Sequence, residues 1–390
     1  MSAPSGQAPQ PAVRARPRRR GRRLALGALA VLLTLLACEG GLRLLLFGPA
    51  PFAALGADLR RPRRFAEDTE ELYWTLTCTW TSVPAYARRP ADADPLLGWR
   101  DPRIASGTYA HRDEARVGAR RPVLLYGDSF AACHGQLERC WDVQLEEDEL
   151  ARELALLDYG VSGYGFDQIT LLVEESLPRW LAHRPLVLIG VLVDDDLNRT
   201  GQRLRQAPKP WFTLEPGANG PQLVYHPPAA ATVNAFLAAN PPRSASWLAR
   251  SLLSSRLVPD AWRRSLLGLD EHQARTVEIA RALIVRLHAF LAAREVEHAF
   301  VLFHGRASVR LDSYGWEEPL LLAELTRLGI PWVSTRTAFR EDMAATGRTL
   351  LDYFALEGRA RPHYGPTGMQ VAFRAIRRAL VGEFEGPGDG

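Results

Sequence analysis

The stretch VLLYGDSFAACHG, Val123–Gly135, places a hydroxyl group at the end of an apolar run. Four apolar residues, 123–126, are followed by Gly127, Asp128 and Ser129. A buried strand that ends in this way could hold Ser129 rigidly as a nucleophile, and a serine hydroxyl becomes reactive when a base withdraws its proton. Because Gly, Asp and Ser are also the common turn formers, the tripeptide alone leaves an ordinary turn as the alternative.

The elements that must position Ser129 are strands and helices that alternate from residue 121 onward. Apolar runs predict strands at 123–126, 155–159, 185–193, 298–304 and 331–334. Helical spacing of apolar residues predicts helices at 142–154, 166–182, 271–294, 317–328 and 367–381. The alternation predicts an α/β sandwich around a parallel sheet, a fold in which sites gather at the carboxyl ends of the strands.

Two other regions depart from this rhythm. Residues 48–120 are rich in Arg and Pro with scattered Trp, and predict an irregular lead-in packed on the domain of residues 121–385. Residues 201–250 carry many prolines and few periodic runs, which predicts an insertion or lid.

The N-terminus has the pattern of a membrane anchor. Residues 1–23 form a tail with seven arginines and no acid, and the apolar stretch 24–47 follows it. Its only charges, Glu39 and Arg43, are spaced to pair on one helical face. About 20 apolar residues cross a bilayer, and the arginines predict a cytoplasmic N-terminus. We predict a single-pass signal anchor in the cell membrane with the body extracytoplasmic (periplasmic), the alternatives being a cleaved signal peptide or lipid attached to Cys38.

Charge and cysteine content narrow the function classes. The net charge of +4 becomes −3 without the seven arginines of the tail, so the folded body lacks the basic balance of a nucleic-acid binder. In an oxidising compartment Cys133 and Cys140 could form a disulfide, the alternative being two buried thiols. No C-x-x-C or H-E-x-x-H pattern occurs, and we expect neither a metal nor a cofactor.

Four blocks in order resemble the SGNH/GDSL hydrolase superfamily, especially its bacterial membrane-anchored branch. They are YGDSF at 126–130, LDYGVSGYGFDQ at 157–168, VLVDDDLNR at 191–199 and RPHYGPTGMQVAF at 361–373. DPLLGWR at 94–100 also has a counterpart in that branch. The resemblance implies a flavodoxin-like three-layer sandwich and ester chemistry. It implies that Ser129 is the nucleophile and an oxyanion donor through its amide, that Gly163 gives the second oxyanion N–H, and that His363 is the general base.

Two positions depart from the family pattern. The family has Asn in the third block, where this chain has Asp195. An ionised carboxylate only accepts hydrogen bonds, so Asp195 could serve the oxyanion only if protonated, and the simpler alternative is that it pairs with Arg199. The family also has Asp three residues before the histidine, where this chain has Ala360. Glu357, Asp352 or a backbone carbonyl could orient the imidazole instead.

Two other histidines bear on the assignment of the base. His304, at the end of a predicted strand, is the rival base, and His134 is expected on the surface.

The predicted function is therefore a membrane-anchored serine esterase that acts on a small-molecule or carbohydrate ester, by resemblance an O-acyl group of a cell-surface carbohydrate. An O-acyltransferase, or a non-catalytic relative that binds a glycan or a protein, are the alternatives. Trp211, Trp247 and Trp262 could stack on sugar rings, although core packing is the commoner role of Trp.

Overall fold

The computed structural model of the chain describes residues 18–47, 93–205, 207–218, 220–240, 246–254, 258–355 and 363–386. The predictions for 1–17 and 48–92, and those on Glu357 and Ala360, lie outside these residues. The strands are β1 Ala93–Asp94, β2 Gly98–Trp99, β3 Arg121–Gly127, β4 Leu154–Gly160, β5 Leu186–Leu192, β6 Trp211–Gly217, β7 Gly220–His226, β8 His298–Phe303 and β9 Trp332–Ser334. The helices are α1 Arg18–Phe47, α2 Pro102–Ala105, α3 Trp141–Glu146, α4 Phe166–Ser176, α5 Val233–Ala239, α6 Trp247–Ser254, α7 Asp260–Leu267, α8 Leu269–Ala292, α9 Glu317–Leu328, α10 Thr335–Thr346 and α11 Pro366–Leu380.

Five strands form one parallel sheet in the order β4-β3-β5-β8-β9. This is the flavodoxin-like order. The chain adds β4 on one side of β3, and then adds β5, β8 and β9 on the other side. The crevice at this reversal lies between β3 and β5, whose carboxyl ends lead to Ser129 and to Asp194–Asp196. The predicted α/β class is confirmed, and its topology brings the first and third sequence blocks to one edge of the sheet.

Helices cover both faces of the sheet because successive strand residues point to opposite sides. On one face Leu124, Ile189 and Phe300 pack in a core with residues of α4, α8 and α9. On the other face Leu125 and Val301 pack in a core with residues of α3, α10 and α11. The sandwich therefore has the three layers that the sequence predicted.

Two predicted elements need correction. The helix predicted at 142–154 ends at Glu146, and a 3-10 segment, Glu149–Arg152, follows it. The break occurs because the carboxylate of Asp148 accepts from the amide of Leu150 at 3.0 Å and begins a new turn. Within the predicted insertion, β6 and β7 pair as an antiparallel hairpin that the proline-rich sequence did not indicate.

The lead-in that precedes β3 packs on the sheet where it is described. Leu97, Trp99 and Val117 are buried in the same core as α4 and α8.

Helices α1 and α6 belong to a second unit. One helix in the described residues, over Gly21–Leu45, is long and apolar enough to cross a membrane. Glu39 pairs with Arg43 at 2.7 Å as the spacing predicted, and its carboxylate also accepts from the amides of Trp247 and Leu248 at the start of α6. The charged pair in the apolar helix is thus satisfied within this unit.

Candidate active site

The turn after β3 is built so that Ser129 stands at the end of the sheet. A Cβ at Gly127 would lie 2.6 Å from the Cβ of Ala131 and 2.8 Å from the carbonyl oxygen of Gly190, so only glycine fits. The carboxylate of the buried Asp128 accepts from the amide of Phe130 at 2.8 Å, which fixes the turn. Ser129 Oγ lies 3.3 Å from Asp128 Oδ2.

His363 reaches Ser129 from the far end of the chain. Its Nε2 lies 2.7 Å from Ser129 Oγ. His363 lies just before α11. The amide of Ala355 donates to the carbonyl of His363 at 2.9 Å, and Phe354 and Tyr364 form an antiparallel bridge. The imidazole packs beside the Phe130 ring with centroids 4.8 Å apart. These contacts hold the ring against the hydroxyl.

The glycine predicted as the second oxyanion donor lies in the loop after β4. Gly163 has a φ of +84°, a left-handed conformation that favours glycine. The segment 94–100 braces this loop, because Trp99 Nε1 donates to the carbonyl of Ser162 at 3.3 Å and Tyr164 donates to the carbonyl of Trp99 at 2.5 Å. The DPLLGWR block therefore supports the loop that carries Gly163.

The three aspartates after β5 have three different environments. Asp194 accepts from the amide of Gly305 at 3.2 Å and from the Ser308 hydroxyl, and burial raises its pKa. Asp196 is fully buried, and burial together with nearby Asp128 raises its pKa.

Asp195 is the aspartate at the family's Asn position. Its Oδ2 accepts from Arg199 Nε at 2.9 Å and from Arg205 Nη2 at 3.1 Å. Because this carboxylate oxygen already accepts from two guanidinium groups, the placement favours the pairing with Arg199 over a role as oxyanion donor.

A cavity of about 650 Å³ contains the predicted site residues. Ser129, Gly163, Asp195 and His363 all line it. The rest of the described lining combines charged or hydrogen-bonding side chains with apolar ones and a glycine: His134, Ser162, Asp194, Arg199, Arg205 and Arg306, and Phe130, Leu192, Gly305 and Ala307. The structure thus brings all four predicted residues to one cavity, and it adds arginines that sequence reasoning did not assign to the site.

The other histidines have different roles from His363. His304 is fully buried, with Nε2 3.2 Å from Glu318 Oε1 and Nδ1 3.0 Å from the carbonyl of Leu302, and burial lowers its pKa. These contacts give it a structural role. The expectation that His134 is a surface residue is wrong: it is half-buried on the cavity wall, its ring centroid 4.8 Å from that of His363. Its amide donates to the carbonyl of Ser129 at 3.1 Å, a turn that returns the chain to the site.

Asp352, one of the acids proposed to orient His363, is used elsewhere. Its Oδ2 accepts from the amide and hydroxyl of Thr349 at 2.7 and 2.9 Å.

The three tryptophans that could stack on sugar rings do not line this cavity in the described structure. Trp211 stacks on His226 at 4.1 Å, Trp247 is buried, and Trp262 is exposed. Trp211 belongs instead to a separate cavity of about 310 Å³ between β6 and α8.

No family model and no curated protein matches the sequence. Among solved structures the chain is similar to a putative GDSL-like lipase from Parabacteroides merdae, with 14% identity and a TM-score of 0.35, over 67% of this chain and 96% of that one. It is similar to an alpha/beta hydrolase from the metagenome of Lake Arreo, with 14% identity and a TM-score of 0.36, over 67% and 95%. It is also similar to a catalytic mutant of an acetylxylan esterase from Geobacillus stearothermophilus, with 15% identity and a TM-score of 0.33, over 68% and 96%. At these TM-scores the similarity does not decide what the chain does, and the geometry of its own site must.

Proposed function

We propose that the chain is a serine esterase of the SGNH/GDSL type. The observation that carries the proposal is the 2.7 Å contact between Ser129 Oγ and His363 Nε2, in a cavity also lined by Gly163. A serine and an imidazole at this distance, beside backbone donors and open space, are the parts that acyl transfer requires.

The reaction follows from these groups. His363 Nε2 takes the proton of Ser129 as Oγ forms a bond to the ester carbonyl carbon, and the carbonyl oxygen becomes an oxyanion. The amides of Ser129 and Gly163 donate to that oxyanion, which is the charge that preorganised donors stabilise best. His363 then gives its proton to the leaving alcohol as the ester bond breaks. Water repeats the sequence on the acyl-serine and releases the acid.

The cavity favours a polar substrate. Charged and hydrogen-bonding side chains, including Asp194, Arg205 and Arg306, line it beside Phe130 and Leu192, and these polar groups could orient a substrate that carries hydroxyl groups. A short acyl group on a carbohydrate hydroxyl suits such a lining, which agrees with the class implied by the sequence resemblance. The same site would act as a transferase if a sugar hydroxyl replaced water in the second step.

We place the domain outside the cell membrane, anchored by α1. The apolar helix follows an arginine-rich tail, which supports a cytoplasmic N-terminus. The disulfide between Cys133 and Cys140 supports an oxidising compartment for the domain. Alkaline phosphatase fused after residue 390 should be active in cells, and a cytoplasmic location of the domain would leave it inactive. The mass of the purified chain separates an intact anchor from a cleaved or lipidated one.

The test of the esterase is labelling of the detergent-solubilised full chain with a fluorophosphonate probe. We expect labelling of the native protein and of Ser162→Ala, a control that removes another serine of the same cavity, and no labelling of Ser129→Ala. A folded native protein that is not labelled would instead support the non-catalytic binder. Acetate released from an acetylated oligosaccharide, compared with acetyl transferred to an added sugar, then separates hydrolase from transferase.

A further inference from the structure

Arg199 occupies a central place between the two loops that form the candidate oxyanion site. Arg199 is only 4% exposed, yet it lines the cavity with Ser129 and Gly163. Its Nη1 donates to Asp128 Oδ2 at 3.0 Å, the same oxygen that lies 3.3 Å from Ser129 Oγ. Nη1 also lies 2.6 Å from the carbonyl oxygen of Tyr164, the neighbour of Gly163 in the chain. The guanidinium group therefore bridges the nucleophile turn and the Gly163 loop.

A count of its donors shows which atom is left for a ligand. Nε donates to Asp195, and Nη1 serves Asp128, Asp196 and the Tyr164 carbonyl. Nη2 has no hydrogen-bond partner within the described part of the chain. It is also not one of the fully buried unpaired atoms there, which belong to Arg112 and Trp332. Because Arg199 contributes to the cavity wall, Nη2 is the donor that this side chain can offer to a molecule in the cavity.

We propose that Arg199 Nη2 is the third oxyanion donor of this site, in place of the side-chain amide that Asp195 does not supply. The proposal rests on the esterase function above. A guanidinium N–H forms a charge-assisted hydrogen bond to an oxyanion, which is stronger than the bond from a neutral amide. The aspartate at the family's Asn position thus lacks the amide donor, but its carboxylate holds Arg199, which we propose supplies a donor instead.

The surrounding charges keep this guanidinium ionised and correctly turned. Burial alone would lower the pKa of Arg199, but Asp195, Asp196 and Asp128 raise it. Asp195 is a positioning residue, because its bond to Nε and its second bond to Arg205 fix the plane of the guanidinium group. A fixed donor needs no reorganisation when the oxyanion forms, which is the source of its catalytic effect.

The test is Arg199→Lys in the full detergent-solubilised chain, with p-nitrophenyl acetate as the substrate. A lysine ammonium has three N–H groups, which Asp128, Asp196 and the Tyr164 carbonyl would occupy, so the buried charges stay compensated and the oxyanion loses its donor. We expect kcat to fall by about 10²- to 10³-fold with little change in KM, as for loss of one oxyanion donor. Arg336→Lys is the matched control, because Arg336 is also buried and paired with a carboxylate, that of Glu318, but does not line the cavity. We expect its kcat to stay within about threefold of the native value.

A rescue variant separates catalysis from structure. Asp195→Asn added to Arg199→Lys restores a neutral amide donor at that position, and we expect it to regain about tenfold or more of the lost kcat. A kcat for Arg199→Lys within about threefold of native, in a folded protein, overturns the role of Arg199 while leaving the esterase intact. Absence of any Ser129-dependent hydrolysis by the native chain would instead remove the esterase itself.

A structural measurement covers the case in which Arg199→Lys does not fold. A phenylboronic acid forms a tetrahedral adduct with a reactive serine, and a crystal structure of the native full chain with this adduct places its oxygens. A boronate oxygen within hydrogen-bond distance of Arg199 Nη2, roughly 3 Å, supports the proposal. A boronate whose oxygens all lie beyond roughly 4 Å from Nη2 overturns it.

Discussion

Ser129 Oγ and His363 Nε2 lie 2.7 Å apart although the two residues are separated by 234 positions in the chain. The nucleophile turn is fixed by its own glycine and aspartate, whereas the imidazole is fixed by the bridge between Phe354 and Tyr364. Two parts of the chain that are far apart in sequence therefore meet at one hydrogen bond.

His363→Gln should abolish most of the activity with little loss of stability. A glutamine can still hydrogen bond to Ser129 but cannot take its proton, so kcat/KM should fall by about 10³-fold or more. His183→Gln, at an exposed histidine outside the cavity, should leave the hydrolysis of p-nitrophenyl acetate unchanged. Equal activity of the two variants would show that His363 is not the base.

Gly163→Ala should lower both stability and activity. The φ of +84° is strained for a residue with a Cβ, at a cost of about 1 kcal/mol, and relief of this strain would move the N–H that we propose as an oxyanion donor. Gly107→Ala is the matched control, since Gly107 has a φ of +70° with no atom within 4 Å of an added Cβ, and does not line the cavity. Urea unfolding should show similar losses for both variants. Only Gly163→Ala should lose kcat, by about tenfold, and a similar loss in both would remove the special role of Gly163.

The sequence predicted the sheet well because its strands are continuous apolar runs that end in glycine or polar residues. The third strand, predicted at 185–193, spans 186–192, and the helix predicted at 317–328 has these bounds in the structure. Local signals such as these depend only on neighbouring residues. The hairpin at 211–226 and helix α10 were missed, because their apolar residues follow neither period clearly.

Site residues that belong to a sequence motif could be predicted, whereas those brought to the site only by tertiary packing could not. Ser129, Gly163 and His363 could be named from ordered blocks. The contact of Arg199 with Asp128 joins residues 71 positions apart, so no local pattern indicates it. The proximity of His134 to His363 depends in the same way on tertiary packing.

Lys209 should not react with amine reagents while the chain is folded. It is the only lysine in the sequence, it is fully buried, and its Nζ donates to Asp167 and to the carbonyls of Arg199 and Gln202. An N-hydroxysuccinimide ester should therefore modify the native chain only at its α-amino group. Concentrated guanidinium chloride should expose Lys209, and mass spectrometry of the peptides reports both states. Rapid modification of Lys209 in the native protein would contradict the ion pair with Asp167.

Loss of the Cys133–Cys140 disulfide should destabilise the segment that follows Ser129. The bridge closes a short loop, with a sequence separation of 7, and chain-entropy estimates give about 2–3 kcal/mol for such a loop. Cys133 also has a φ of +50°, a strained conformation for a residue other than glycine. The double variant Cys133→Ala/Cys140→Ala should have a lower Tm than the native chain, by about as much as dithiothreitol lowers the Tm of the native chain. Dithiothreitol should not lower the Tm of the double variant further. Cys38→Ala, at an exposed free cysteine, should leave the response to reductant unchanged.

Asp158 should make the stability of the domain fall as pH rises above about 4. This residue is fully buried at the end of β4, where it accepts from Tyr109 at 2.8 Å and from the amide of Gly160 at 2.7 Å. Burial raises its pKa from 3.8 to about 7; the two hydrogen bonds and nearby Arg112 lower it, and Asp142 raises it further.

Between these two pH values the folded chain holds a proton that the unfolded chain has lost. The stabilisation that protonated Asp158 provides is therefore complete below about pH 4 and is lost as pH rises to about 7, at up to about 1.4 kcal/mol per pH unit. Asp158→Asn cannot titrate but keeps an acceptor for the Gly160 amide. The free energy of unfolding of this variant should therefore lack the decrease with pH that Asp158 causes in the native protein. Asp194 and Asp196, whose pKa values burial also raises, contribute equally to both proteins and cancel in the difference. Urea unfolding at several pH values gives the two curves, and parallel curves would show that Asp158 does not carry the proton.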